Sequence, residues 1–116
     1  MLPITIKKKF DFNYLKTYGV RTKTSSVLVV CALRDDKTID PMVGYIVSKR
    51  TVGNAVKRNR AKRRLRSLVR EYKLVFEPGD LFLIIATTNT SFMQYSLLSS
   101  DFYHCLIKAK EKAQSK

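Results

Sequence analysis

The stretch from Lys49 to Arg70, "KRTVGNAVKRNRAKRRLRSLVR", decides how the whole chain is read. By composition alone it fits a disordered basic tail, a targeting run, or a folded helix with one cationic face. Placed at 100° per residue, Ala61, Leu65, Leu68, Val69 and Tyr72 fall in one arc of about 100°, the width of a core-facing stripe. The rest of the circumference collects Lys57, Arg60, Lys62, Arg63, Arg64, Arg66, Arg70 and Lys73. Arg58 points toward the apolar side, where its stem can follow the edge of the stripe while its head stays in water. A tail or a targeting signal has no reason to keep such a stripe, so the spacing predicts a folded, amphipathic, cationic helix. Asn54 is the expected N-cap, and Val52 and Val56 lie off the stripe, which puts the helix start near position 54. Gly53 serves a turn or the close approach of a ligand to the backbone, and both can hold.

Charge says what this helix is for. The chain has 116 residues with 23 Lys and Arg against nine Asp and Glu, a formal net charge of +14. Eleven of those cations lie between Lys49 and Lys73, with Glu71 the single acid among them. Lys57, Arg60, Arg63 and Arg64 repel one another at i, i+3 and i, i+4, each pair costing a few tenths of a kcal/mol that a bound polyanion would relieve. Nucleic acid is the leading partner class and an acidic membrane surface the second. Arg outnumbers Lys here, and its planar fork pairs with phosphate through two bonds. Asn59, among the arginines, can reach a sugar hydroxyl or a base edge.

Working outward, 116 residues and an apolar fraction of 45% make one globular domain, 1–116, with a core of its own. A helix is expected over 7–19, with Phe12, Leu15 and Tyr18 at helical spacing and Gly19 as its stop. Strands are expected over 25–34 and 42–49, joined by the turn "RDDKTIDP" and therefore read as an antiparallel pair. "LFLIIAT" (81–87) is apolar on both faces and is read as the central strand, and 96–113 as a helix burying Leu98, Phe102, Cys105, Leu106 and Ala109. The class is α+β. Cys31 and Cys105 sit apart in apolar segments with no metal-ligand spacing, which predicts buried free thiols in a reducing compartment. The opening "MLPITIKKKF" reverses the charge order of a signal peptide, and the apolar runs are strand-length, so a soluble, cytoplasmic protein is expected.

The order of residues in the basic run carries more than its charge. Val47-Ser48-Lys49-Arg50, Gly53-Asn54-Ala55-Val56, Arg58-Asn59-Arg60, Lys62-Arg63 and Arg66 together resemble the signature of the bacterial ribonuclease P protein subunit. Asp11-Phe12 and Gly19 are similar to that family's N-terminal helix motif, and Val43-Gly44 to the strand leading into its signature. The resemblance implies a four-stranded sheet with three helices in the order α-β-β-β-α-β-α, a fold class shared with one domain of a small-subunit ribosomal protein. It also implies a left-handed crossover around the basic helix, against the usual rule, and a short extra strand near 21–25. In this family a large RNA is the catalyst and cleaves precursor tRNA with Mg²⁺, leaving the mature 5′ end.

Carried onto this chain, the family's RNA-contacting residues are Lys49, Arg50, Asn54, Lys57, Arg58, Asn59, Arg60, Lys62, Arg63 and Arg66. A cleft between the first helix, the sheet and the signature helix would hold the single-stranded 5′ leader, with Phe12, Lys16 and Tyr45 as its residues. Phe12 is either a base-stacking platform or a core residue, and Lys16 stands where family members often carry an aromatic. Ser67 replaces the family's usual acid or amide. No catalytic residue and no metal ligand is expected in the chain, with Mg²⁺ entering through the RNA and the substrate. The expected partners are the catalytic RNA and precursor tRNA in a bacterial cytoplasm, with no membrane and no obligate protein partner.

Other readings share parts of this pattern. A structural RNA binder such as a ribosomal protein shares the charge, a stand-alone nuclease would cleave unaided, and a membrane-surface protein would need an apolar edge beside the basic face. His104 has no orienting acid or nucleophile and is read as a helix-surface or interface side chain. Lys7 to Lys9 either extend the RNA-facing surface or form a solvated terminus. Tyr14, Tyr18 and Tyr45 are stacking groups or core edges. Lys108, Lys110, Lys112 and Lys116 form a mildly basic run with no assigned role.

Overall fold

The computed structural model describes residues 2–115; Met1 and Lys116, the last of the C-terminal lysines, lie outside them. Strand β1 (Ile4–Thr5) precedes helix α1 (Lys9–Tyr18), which Gly19 ends as anticipated. Three strands follow: β2 (Val20–Lys23), β3 (Val27–Leu33) and β4 (Met42–Ile46). A four-residue helix, α2 (Lys49–Val52), leads into α3 (Ala55–Glu71), then one 3₁₀ turn (Lys73–Val75), β5 (Asp80–Ala86) and α4 (Tyr95–Gln114).

The sheet is ordered β1-β4-β5-β3-β2. β5 is central, as its two-sided apolar run requires, parallel to β4 and antiparallel to β3. Strands β3 and β4 therefore do not pair, contrary to the hairpin expected from the turn between them. They do run in opposite directions, but β5 inserts between them because a strand buried on both faces needs a neighbour on each side. The α+β class stands, while the count of four strands and three helices is corrected to five and four among the described residues. The short strand expected near 21–25 is β2; the fifth, β1, forms because Ile4 N donates to the Pro41 carbonyl and Ile6 N to that of Val43, with Ile6 buried beyond them. The extra helix forms because Ser48 Oγ accepts from Thr51 N and Val52 enters the core.

Two apolar layers flank the sheet. On one face α3 and α4 pack Ala61, Leu65, Leu68, Val69, Leu98, Phe102, Cys105, Leu106 and Ala109 against Val29, Cys31, Val43, Phe82 and Ile84. The stripe predicted for the basic helix is thus its buried face, with Tyr72 half-buried at the edge. On the other face α1 covers Val30, Ala32, Leu81 and Leu83 with Leu15 and Phe12. Tyr14 is a core-edge residue there, its hydroxyl donating to the Leu33 carbonyl at 3.3 Å.

Both cysteines are free and buried. Burial, with Asp80 adding to it, pushes the Cys31 thiol up to about 12, and burial raises Cys105 as well. Only a thiolate alkylates readily. Iodoacetamide at pH 8 should leave the folded protein unmodified by mass and add to both thiols after urea unfolding. Rapid addition to the folded chain would contradict the packing.

Candidate nucleic-acid interface

The entry to α3 is built from the motif's own residues. Asn54 is the N-cap: its Oδ1 accepts from Lys57 N at 3.0 Å, so its amide oxygen serves the backbone and only its NH₂ remains for a ligand. Gly53 sits at φ 113° and ψ −143°, a conformation that side chains resist, so the turn alone accounts for this glycine. Gly53→Ala should lower stability by about 1–3 kcal/mol in urea titrations, and Asn54→Ala by about 1 kcal/mol. Wild-type midpoints in both would mean that the α2–α3 corner is not held this way.

From that corner the cations fan out on the solvent side. Lys49, Arg50, Lys57, Asn59, Arg60, Arg63 and Arg66 are exposed and Lys62 is half-exposed. Arg58 is half-buried on the apolar edge as expected, with its Nε shielded and unpaired. Among the described residues the ion pairs are Asp11 with Arg34 and Lys110 with Glu77 and Asp80, so none neutralises α3. A depression of about 450 Å³ lies on one flank, lined by Val56, Asn59, Lys62, Arg63 and Arg66.

Two cations are tied into the protein. Arg64 Nη1 donates to the carbonyls of Thr90 (3.1 Å) and Met93 (2.6 Å), and its guanidinium lies 5.9 Å from the Tyr95 ring. Burial first, then the charge of Arg60, lowers its pKa. Arg64 is a strut between α3 and the 87–94 loop, a role that periodicity, which placed it on the polar side, did not distinguish. Arg66 stacks 5.9 Å over Tyr45 while staying exposed. Burial pushes the Tyr45 phenol up, against the opposite pull of Arg66 and Arg70.

That contact corrects the expected cleft. Tyr45 packs with the α3–α4 layer, whereas Phe12 packs with the α1 layer on the opposite face of the sheet. Alternate β4 residues point to opposite faces, so Tyr45 cannot join Phe12. Gly44 does: a Cβ there would lie 3.1 Å from Phe12 Cε1, so the ring rests on bare backbone. Lys16 is exposed in the last turn of the same helix. Beyond α1 the sheet face stays partly open along a register row, Lys23, Leu28, Ile85 and Ile46, with Ile46 40% exposed and Arg21 on the same face. Sequence reasoning missed this row. Its one signal was the alternation in "VRTK", which puts Arg21 and Lys23 on one face. Three residues after Ile46 the chain reaches Lys49, so the open row and the basic corner adjoin.

No three His, Cys, Asp or Glu side chains gather to hold a metal ion among the described residues. No helix there is long and apolar enough to cross a membrane. His104 is exposed, its ring 6.2 Å from that of Tyr103.

Comparison with known proteins bears on the family and the fold. Residues 3–110 match the family model described as Ribonuclease P. The ribonuclease P protein component of Syntrophus aciditrophicus is 37% identical over 92 residues, 78% of this chain and 74% of that one. That of Streptococcus thermophilus is 36% identical over 106 residues, covering 90% of this chain and 91% of its own. Among solved structures, the RNase P protein of Staphylococcus aureus superposes with a TM-score of 0.76 at 29% identity, covering 91% of this chain and 94% of that one. The RNase P protein of Thermotoga maritima shares the fold, with a TM-score of 0.74 at 18% identity over 90% of this chain and 96% of its own.

Proposed function

This chain belongs to the ribonuclease P protein family, and from that premise we propose how its surfaces divide the work. As the protein component of this endoribonuclease it partners the ribonuclease P RNA, which carries the catalysis, in removing the 5′ leader of precursor tRNA. The observation that carries our reading is the exposed cationic face of α3, which no ion pair among the described residues neutralises. Lys49, Arg50, Lys57, Arg58, Arg60, Lys62, Arg63 and Arg66 neutralise RNA phosphates, and the Asn54 and Asn59 amides reach sugar or base edges. Displaced counterions drive the association, with a log–log salt slope of about −0.7 to −0.9 per phosphate.

The leader of precursor tRNA runs over the open sheet face. Unstacked bases lie on Phe12 and the Leu28–Ile85–Ile46 row, and Lys16, Arg21 and Lys23 meet the phosphates. Tyr45 acts instead by holding Arg66. We take the crossover from β4 to β5 to be left-handed, as the family's fold implies. Magnesium is held by RNA and substrate phosphates, the oxygen ligands it favours. The place of work is the bacterial cytoplasm. The test is turnover of a precursor tRNA by the transcribed catalytic RNA at low Mg²⁺, with and without this protein. Faster turnover is expected; unchanged turnover rejects the reading, and cleavage by the protein without RNA would favour a stand-alone nuclease.

A further inference from the structure

We propose that the loop between β5 and α4, residues 87–94, presents Phe92 as a stacking platform for an unpaired base of the catalytic RNA. This rests on the RNA-docking reading and extends it from phosphate to base, on a loop which that reading does not use. The loop inverts the ordinary order of burial. Thr90 and Ser91 are 0% and 3% exposed, while Phe92 beside them is 63% exposed. A lone apolar side chain at the surface needs no explanation where the chain is loose. Here the backbone is held on three sides, so the ring is presented in a fixed place.

Toward the turn between β2 and β3, the Thr90 hydroxyl donates to the Ser26 carbonyl at 2.6 Å and Asn89 Nδ2 to that of Ser25 at 3.0 Å. Toward α2, the Thr88 hydroxyl donates to the Thr51 carbonyl at 3.3 Å, next to Arg50. Toward α3, Arg64 Nη1 holds the carbonyls of Thr90 and Met93, which bracket Phe92 in the chain. Leaving the ring in water forgoes the burial a phenylalanine ordinarily contributes, and a stacked base recovers it. A platform fixed in advance also loses little further freedom when it is covered.

Charge around the loop names the occupant. Residues 87–94 carry no charge of their own, whereas Lys49 and Arg50 adjoin the Thr51 anchor and Arg60 stands one helical turn before Arg64. A polyanion drawn to those cations lies across the loop, and the apolar surface that RNA offers there is the face of an unstacked base. Every base has such a face, so the contact adds affinity without choosing sequence.

The chain has no tryptophan, so Phe92→Trp places a single indole at the platform. Titrated with the transcribed catalytic RNA, its emission should be quenched, at an affinity within about twofold of wild type. Phe92→Ala and Phe92→Leu should each weaken binding at least about fivefold and keep the KCl slope of wild type, since stacking displaces no counterions. Wild-type affinity in either variant, or an indole left unquenched at saturation, overturns the platform; a steep KCl slope in the same titrations keeps the docking reading. If wild-type binding does not weaken with KCl, the docking reading itself fails. Quenching by precursor tRNA and not by the catalytic RNA overturns the proposal. So does an emission change with protein concentration alone, which would give the ring to a second copy of this chain. Should Phe92→Ala lower the urea midpoint, Phe92→Leu and the indole decide.

Discussion

Leu65→Ala will lower the unfolding free energy by about 2–5 kcal/mol, while Arg60→Ala and Arg63→Ala two to five positions away leave it within about 0.5 kcal/mol and weaken RNA binding instead. Leu65 is fully buried on the α3 stripe, among the side chains that join the helix to the sheet and to α4. Its truncation removes transfer energy and leaves a cavity that the sheet, held from both sides, closes poorly. A domain this small has about 5–15 kcal/mol in total, so the substitution takes a large share of it. The arginines are exposed with no ion pair or hydrogen bond to the described residues, so their removal costs no contact there and relieves like-charge repulsion. Urea denaturation and RNA titration on the same preparations separate the two effects. A stable Leu65→Ala beside unfolded arginine variants would mean that the helix faces are reversed.

Lys110→Ala will cost about 3–5 kcal/mol, because it strands a buried carboxylate. Lys110 is only 8% exposed; its Nζ donates to the Val75 carbonyl at 2.7 Å, to Asp80 at 2.9 Å and to Glu77. Asp80, 4% exposed, keeps only a bond from Glu77 N once the ammonium is gone. Burial pushes the Lys110 pKa down, but the hydrogen bonds and charges of Glu77 and Asp80 outweigh it, and the net shift is upward from the usual lysine value. A raised pKa makes this contribution complete below the unfolded-lysine value near 10.5 and lost as pH rises through the folded value. Glu77, held below the ordinary glutamate value first by its hydrogen bond to Lys110, contributes in the opposite sense, above about 4.5, and weakly because it is exposed. Melting temperature should therefore fall more steeply above pH 10.5 in the wild type than in Lys110→Met with Asp80→Asn, where the buried Cys31, Cys105 and Tyr45 still give an alkaline loss. Equal alkaline losses in both proteins would remove Lys110 from the account.

Helix faces and strand positions were legible because burial has a period, and periods survive in a single sequence. The stripe of α3, the two-sided β5 and the Asn54 cap are cases in which local pattern and tertiary demand agree. The pairing of β3 was not legible. Its partner lies some fifty residues on, and nothing in "RDDKTIDP" says that a later strand will part the two it joins. The Tyr45 cleft and the Arg64 strut were not legible for a different reason: each side chain sits at a boundary, where a rotation of a few tens of degrees decides which neighbours it meets. Lys110 could have been found, since Leu98, Phe102, Leu106 and Lys110 form one i, i+4 ladder, but a lysine at its end reads as solvated tail.

The parallel register of β4 and β5 has a consequence for how the molecule meets its RNA. Both strands start at one end of the sheet, where Met42 pairs with Leu81, and finish at the other, where Ile46 pairs with Ile85. Asp80 and Glu77 lie at the starting end. The 34–41 turn is drawn there too, with Arg34 N bonded to the Gly79 carbonyl and Gly79 N to that of Ile39, and it brings Asp35, Asp36 and Asp40. Lys49, Arg50 and the first turns of α3 follow the finishing end. Arg34, Lys37 and Lys110 offset part of that acidity, whereas no ion pair among the described residues offsets the cations of α3, so the body is electrically lopsided along its strands. In the field of a polyanion it turns before it touches, arriving cationic end first, so that fewer collisions are wasted on wrong orientations. The strand order that shelters the core also aims the approach.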